Sequence, residues 1–452
     1  VILIDEAGDA DGAARFLEKA LDHELSGSSR TEALYYLGKA HLRKYEITGG
    51  VGNGGERKKA LDIWLKLARE SAGTDWGERA HRAYLEQKFA ELKTSERLVR
   101  LDEYLGYYGT GEGRWWALSG KVDFLYGLAR DGKSWAVDSA LAVSGEVLGG
   151  DASAYQKKRV ALKRGYLCRM KGDLAGAAGA FESFVSTYGD DPRVKLVLYD
   201  LGETRLKIKD CDRARAAYAS CLEKRPRRSL AGKCALRLGD CFYYMRRFEE
   251  AAEAYNEFVR IYPDSDLSAE AAFREALALE RLGRGEGVDA ALARLAERKD
   301  LAVNLRVRVL RKLGSRMLGR GDIRQAAPLL IELVSRQRTA GNLLLLADAL
   351  FGSGEYGEAL KGYSDAIKFD GADTCRALAG MAKARFRLKE FKKAGRDLEK
   401  LVESCPGFGG VAGVLIVKGM MEVSAGQCSQ AEKTLSDLRE KYADMEESPQ
   451  AL

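Results

Sequence analysis

The chain has 452 residues, 46% of them apolar and 31% charged, and its 74 Lys and Arg against 67 Asp and Glu leave a formal charge of only +7. A chain of this length exceeds what one compact core fills, and no apolar run reaches the roughly 18 residues a membrane-spanning helix needs, so a single globular core and a visible membrane span are both excluded. So small a net charge steers polyanions weakly, and eight cysteines without a CxxC pair argue against a zinc ribbon or a thioredoxin-type centre.

In chain order, the sequence opens at Val1 without an initiator methionine, so a signal segment or membrane anchor upstream of it stays open and localisation is not read from this end. Residues 1 to 25 read as the end of a helical repeat, with Ala13, Leu17 and Ala20 at second-helix positions. Leu37-Gly38 leads on to Ala60, Trp64 and Leu67 if the intervening turn takes up about ten extra residues. That insert, 48–57, is Gly-rich and is expected to be a loop. Within it Gly50, Gly52 and Gly55 spell GxGxxG, but no strand precedes them, so a dinucleotide loop is not expected. From about 75 to 150 the helical period persists without clean signature residues. All five tryptophans (Trp64, Trp76, Trp115, Trp116, Trp135) lie between positions 64 and 135. These are read as degenerate hairpins, with Trp115-Trp116 as a candidate exposed anchor. Residues 1–150 thus form a degenerate N-terminal arm, 151–445 a regular array, and 446–452 a frayed tail.

Across the regular part a small residue recurs twelve positions after another: Gly165 to Ala177, Gly202 to Ala214, Gly239 to Ala251, Gly314 to Ala326, Ala347 to Ala359, Ala382 to Ala394 and Gly419 to Ala431. Ala276 to Val288 is the weakest of the series. Small residues let two helices cross closely, where a larger side chain would overpack the crossing by about 1–3 kcal/mol. Four residues further on come Phe181, Tyr218, Tyr255, Leu292, Leu330, Tyr363, Leu398 and Leu435, which are expected to fill the space between successive hairpins. Pro192, Pro226, Pro263 and Pro406 fall just past second helices, where proline ends a helix.

Leu201-Gly202, Arg205, Ala214, Tyr218, Cys221 and Pro226 stand at the same mutual spacings as Leu238-Gly239, Phe242, Ala251, Tyr255, Phe258 and Pro263. This pattern resembles the tetratricopeptide repeat, a helix-turn-helix unit of about 34 residues. The resemblance implies an all-α, right-handed superhelical solenoid of about eleven hairpins, which works by binding proteins or peptides along a concave face lined by first helices. Positions that face inward in that family map to Arg159, Tyr166, Arg169, Tyr199, Glu203, Asp240, Tyr243, Tyr244, Phe273 and Glu280. Aromatic and arginine side chains in such a mixture suit gripping a peptide. The same rings also suit packing between helices. The run Tyr255 to Asp266, continued by Ala271, Ala272 and Phe273 and echoed at Phe184 to Tyr188, is similar to the variety of this repeat found in the bacterial periplasmic Tol-Pal coordinator and the outer-membrane assembly lipoprotein. It implies a periplasmic or outer-membrane-associated adaptor, with a cytosolic interaction module as the alternative. The Lys and Asn pattern of the two-carboxylate clamp in chaperone-binding members is not reproduced.

Cys375 would begin one helix and Cys405 end its antiparallel partner, and Cys221 and Cys234 would meet across a repeat junction. Each pair is placed for a disulfide in an oxidising compartment. His23, His41 and His81 have no ligand-spaced partners, so neither a metal site, a cofactor nor catalysis is expected. The basic stretch Lys224, Arg225, Arg227 and Arg228 straddles Pro226, and nucleic acid is not expected to be the partner.

Overall fold

The structure, a computed structural model, describes residues 9–23, 25–49, 54–405, 411–424 and 426–442. It divides into two compact units, 1–237 and 238–452. Among the described residues every regular element is an α-helix, as the 3.6-residue periodicity leads one to expect.

In unit 1, α1 (Ala10–Asp22) precedes five hairpins: α2–α3 (Gly27–Ile47, Gly54–Glu70), α4–α5 (Asp75–Lys88, Thr94–Tyr107), α6–α7 (Gly111–Arg130, Ser134–Gly149), α8–α9 (Ala154–Lys171, Leu174–Thr187) and α10–α11 (Val194–Lys207, Cys211–Glu223). The division between units falls within α12 (Arg228–Tyr244), which pairs with α13 (Phe248–Ile261). Unit 2 continues with α14–α15 (Ser268–Arg281, Gly285–Glu297), α16–α17 (Val303–Arg320, Ile323–Arg336), α18–α19 (Ala340–Gly352, Tyr356–Ala366), α20–α21 (Thr374–Arg387, Phe391–Ser404) and α22–α23 (Val411–Ser424, Cys428–Tyr442). Within each unit most helices pack on their neighbours in sequence, and first helices of successive hairpins also touch, as α6 does α8 and α18 does α20. That layering is a helical-repeat solenoid. No helix among the described residues is long and apolar enough to cross a membrane.

The twelve-residue series is a set of buried contacts, with Ala177, Ala214, Ala251, Ala326, Ala359 and Ala394 all inaccessible. What the glycines themselves accommodate is the bulky residue sixteen positions on. A Cβ on Gly202 or Gly239 would lie 2.5 Å from the ring of Tyr218 or Tyr255, and Gly165 lies against Phe181 in the same way. These three side chains therefore lie against their own hairpin's glycine, whereas Leu292, Leu330 and Tyr363 share a core cluster with residues of the following hairpin, as expected of residues between hairpins. Tyr363 follows Ala347 rather than a glycine, and its ring lies over Gly380 of the next hairpin. Leu435 remains half-exposed.

The turn inside each hairpin has its own register. Seven positions after the small reference residue the backbone turns left-handed, at Gly172, Lys209, Arg246, Gly283, Gly321, Gly354, Lys389 and Gly426. The amide of the following residue then closes back on a first-helix carbonyl, as Asp210 does on Arg205 and Arg247 on Phe242. Such a turn ends the first helix and reverses the chain. Gly132 carries the same geometry, with Lys133 donating to the Leu128 carbonyl, so α6–α7 is a hairpin of this kind with Leu125 at the glycine position. Bulk at that position removes the signature from the sequence without removing the fold.

Upstream, Gly38 lies against the Trp64 ring, whose Nε1 donates to the Tyr35 carbonyl at 3.0 Å. The hairpin thus closes across its long turn. The insert is shorter than expected, because α3 already begins at Gly54. Glu56 in its first turn meets His41 Nδ1 at 2.7 Å, and Arg57 donates to the Gln87 carbonyl at 2.8 Å. The His41 contact, followed by those of Lys59 and Lys44, holds the Glu56 carboxyl down at about 2. Gly50 and Gly52, like the tail 446–452, lie outside the described residues.

Candidate partner-binding surfaces

In unit 1, Tyr155, Arg159, Tyr166 and Met170 recur at spacings of four, seven and four, which places them on one face of α8. The Arg159 guanidinium lies over the Tyr155 ring at 5.4 Å and pairs with Asp123, which Lys163 also reaches. The Tyr166 hydroxyl donates to Asp200 on α10 at 2.7 Å, and Arg169 donates to the other oxygen of the same carboxylate at 2.9 Å. Burial, with the Asp200 bond added, pushes the Tyr166 phenol well up. On α10, the Tyr199 ring packs at 5.9 Å from Tyr218, and burial raises its phenol as well. Glu203 accepts from the Tyr218 hydroxyl at 2.6 Å and from Arg237 Nε at 2.7 Å.

In unit 2, Asp240 accepts from the Tyr255 hydroxyl and from Arg274, each at 2.7 Å. The Tyr243 ring packs edge-on against Phe248 at 5.3 Å. Glu280 pairs with Lys312 at 2.7 Å, and Tyr244 is 66% exposed. Asp240 and Phe273 are buried, and Arg308 covers the Phe273 ring at 4.4 Å. For these two residues the expectation of a partner-facing position is corrected: burial removes them from any surface a partner meets.

The first-helix positions singled out from the sequence thus divide by role. Their charged members mostly bind helix to helix, because a carboxylate among packed helices needs a cation or a hydroxyl beside it. The acid one residue after the reference position meets the tyrosine fifteen residues on and the arginine of the next first helix, at Glu203–Tyr218–Arg237, Asp240–Tyr255–Arg274 and Asp348–Tyr363–Arg376. The signal was in the sequence as those recurring offsets. Of the uncharged members only Tyr244 is well exposed, and the other apolar side chains that solvent reaches on these first helices are Tyr155 (64% exposed), Met170 and Leu196, which the repeat signature does not mark. Leu196 stands three residues before Tyr199, in the same first-helix register. Trp115 and Trp116 are half-buried, Trp116 packing 5.1 Å from Tyr104. The exposed tryptophan of that region is Trp135, at 57%.

Cys375 and Cys405 are joined by a disulfide, with Cα atoms 5.9 Å apart, clamping the open end of the α20–α21 hairpin. Cys221 and Cys234 are both buried thiols, not a bridge. Cys221 donates to the Lys195 carbonyl at 3.1 Å and is hydrogen-bonded to Cys234, which holds the Cys221 thiol down and pushes that of Cys234 up.

The tetratricopeptide repeat family matches residues 199–266, 236–300 and 311–374. Solved structures similar to this chain include a tetratricopeptide repeat protein from Parabacteroides merdae (18% identity, 56% of this chain and 94% of that one, TM-score 0.38). PilF of Pseudomonas aeruginosa is 20% identical over 47% of this chain and 93% of its own (TM-score 0.38). The apo form of RapI is 14% identical over 73% of this chain and 99% of its own (TM-score 0.42). No curated protein matches the sequence. Residues 199–300 and 311–374 thus carry tetratricopeptide repeats, a fold that serves as a scaffold for protein–protein interaction, and the register of buried alanines, left-handed turns and paired helices continues on either side of them.

Proposed function

We propose that the chain is a non-enzymatic adaptor that holds protein partners on its first-helix faces, and that it works in the periplasm of a bacterial envelope. The observation that carries the binding reading is the exposed set Tyr155, Met170 and Leu196 on consecutive first helices of unit 1. The part-buried Tyr166–Asp200–Arg169 contacts tie the two helices, α8 and α10, that carry it. Exposed aromatic and aliphatic side chains on a rigid frame lose little entropy when a partner covers them. The envelope reading is supported by the Tyr255 to Asp266 run and by the Cys375–Cys405 bridge, since structural disulfides persist in oxidising compartments. One observation favours the cytosolic alternative: Cys221 and Cys234 touch and remain thiols.

Selection of displayed peptides on the whole protein tests the surface. Peptides so obtained should lose about tenfold or more in affinity for Tyr155→Ala/Leu196→Ala, and equal affinity for that variant would remove the inner face of unit 1 from consideration. Thiol labelling of the protein in its native cells tests the compartment. Cys375 and Cys405 should resist alkylation until a reductant is added, and free thiols there would leave the cytosolic module standing.

A further inference from the structure

The turn between α9 and α10 and the turn between α11 and α12 lie side by side on one edge of unit 1. Lys224 Nζ reaches the Gly189 carbonyl at 3.4 Å and Lys195 Nζ reaches the Arg225 carbonyl at 3.3 Å. Lys224, Arg225 and Arg227 are exposed there. None of these four cations makes an ion pair with a described carboxylate. Elsewhere in unit 1 Arg169 reaches Asp200, Arg205 reaches Glu182 and Lys158 reaches Asp191. The nearby Asp191 does not compensate them. It is taken by Arg193 at 2.8 Å, which together with Lys158 holds its carboxyl far below the usual range against the opposing effect of burial.

Nothing in the local helix explains the arrangement. The first turn of α12 carries no acid, and the N-terminal end of a helix repels cations and attracts anions. Like charges are gathered at the one end of α12 that disfavours them, so an anion from outside relieves both the mutual repulsion and the dipole. This edge is formed by turns that follow second helices, and it is distinct from the first-helix faces assigned to partner binding above.

We propose that this edge docks an acidic segment of a partner protein, a run rich in Asp and Glu, on Lys195, Lys224, Arg225 and Arg227. Carboxylates on an extended chain meet the side-by-side turns one after another, and Arg225 and Arg227 each offer a planar fork that a carboxylate fits with two hydrogen bonds. The assignment does not depend on the inner-face reading.

A fluorescent glutamate-rich peptide titrated against the whole protein tests it, with a glutamine-rich peptide and a single-stranded oligonucleotide as comparators. The glutamate peptide should bind saturably, weaken about tenfold or more as salt is raised, and ignore Tyr155→Ala/Leu196→Ala. Lys224→Gln/Arg225→Gln/Arg227→Gln should reduce its affinity about tenfold with an unchanged circular dichroism melt, and the corresponding Glu variant should abolish binding. The proposal is overturned if the folded Gln variant binds the peptide as well as the parent, if no saturable binding occurs at low salt, or if the inner-face variant loses it. Tighter binding of the oligonucleotide than of the peptide through the same three residues would also overturn it, in favour of a nucleic-acid surface.

Discussion

Asp240 and Arg274 stand 34 residues apart, one repeat length, and meet with Arg274 Nη1 donating to both carboxylate oxygens at 2.7 Å. The carboxylate is buried and also accepts from Tyr255. Removing one partner of such a pair leaves the other charge in a poor environment, so Asp240→Ala should destabilise unit 2 by about 3–5 kcal/mol in urea unfolding. Glu270→Ala, which breaks the more exposed pair with Arg308 and one contact of Arg274, should cost about 1 kcal/mol or less. Equal losses would mean that the buried triad is not what ties α12 to α14.

Tyr255 and Tyr363 both donate to a carboxylate from a buried site, and burial is the larger cause of their raised phenols. A group whose folded pKa lies above its unfolded value supports the fold fully below the unfolded value, near 10 for tyrosine, and loses that support as pH rises toward the folded one. Stability should therefore fall with pH above about 10, and Tyr363→Phe should flatten part of that fall. Denaturant midpoints across the alkaline range measure it, and an unchanged slope in the variant would show that other groups cause the loss.

The Tyr255 ring occupies the space a side chain on Gly239 would need. Gly239→Ala should cost about 1–3 kcal/mol by overpacking, despite the better helix propensity of alanine. Gly179→Ala, on a helical site with open space around it, should be neutral or gain up to about 1 kcal/mol. Thermal melts of the two variants should move in opposite directions or leave the second unmoved.

Lys209, Arg246 and Lys389 hold the left-handed turn that glycine holds in the other hairpins. A side chain there costs about 1–2 kcal/mol. Each Gly substitution should raise stability by part of that, the rest being lost to the freer unfolded chain. Calorimetry of Lys209→Gly settles the sign.

The Cys375–Cys405 bridge closes a loop with a sequence separation of 30. Cys375→Ser/Cys405→Ser should lower the stability of the α20–α21 hairpin by about 3–4 kcal/mol on the loop-entropy estimate. Because each repeat packs on its neighbours alone, hydrogen exchange should speed there first and leave α8 to α11 unchanged. Uniform acceleration along the chain would indicate that cooperativity extends further than neighbouring repeats.

The repeat itself was determined by the sequence, because two helices can cross closely only where their side chains are small, and that requirement writes Gly202 and Ala214, or Gly239 and Ala251, into fixed positions. Where Leu125 takes the glycine place, the requirement is met by other packing and the signature vanishes, so the hairpins before residue 150 showed only as periodicity. Tertiary structure alone decided the rest. It set which face each ring turns to: Tyr218 and Tyr255 onto their own glycines, Tyr363 onto the next hairpin's. It also decided which first-helix charges are consumed, since Glu203 and Asp240 are bound by residues that arrive fifteen and 34 positions later. A spacing restricts the size of a side chain. Whether that side chain is available to a partner depends on which neighbours reach it, and those come from a different repeat.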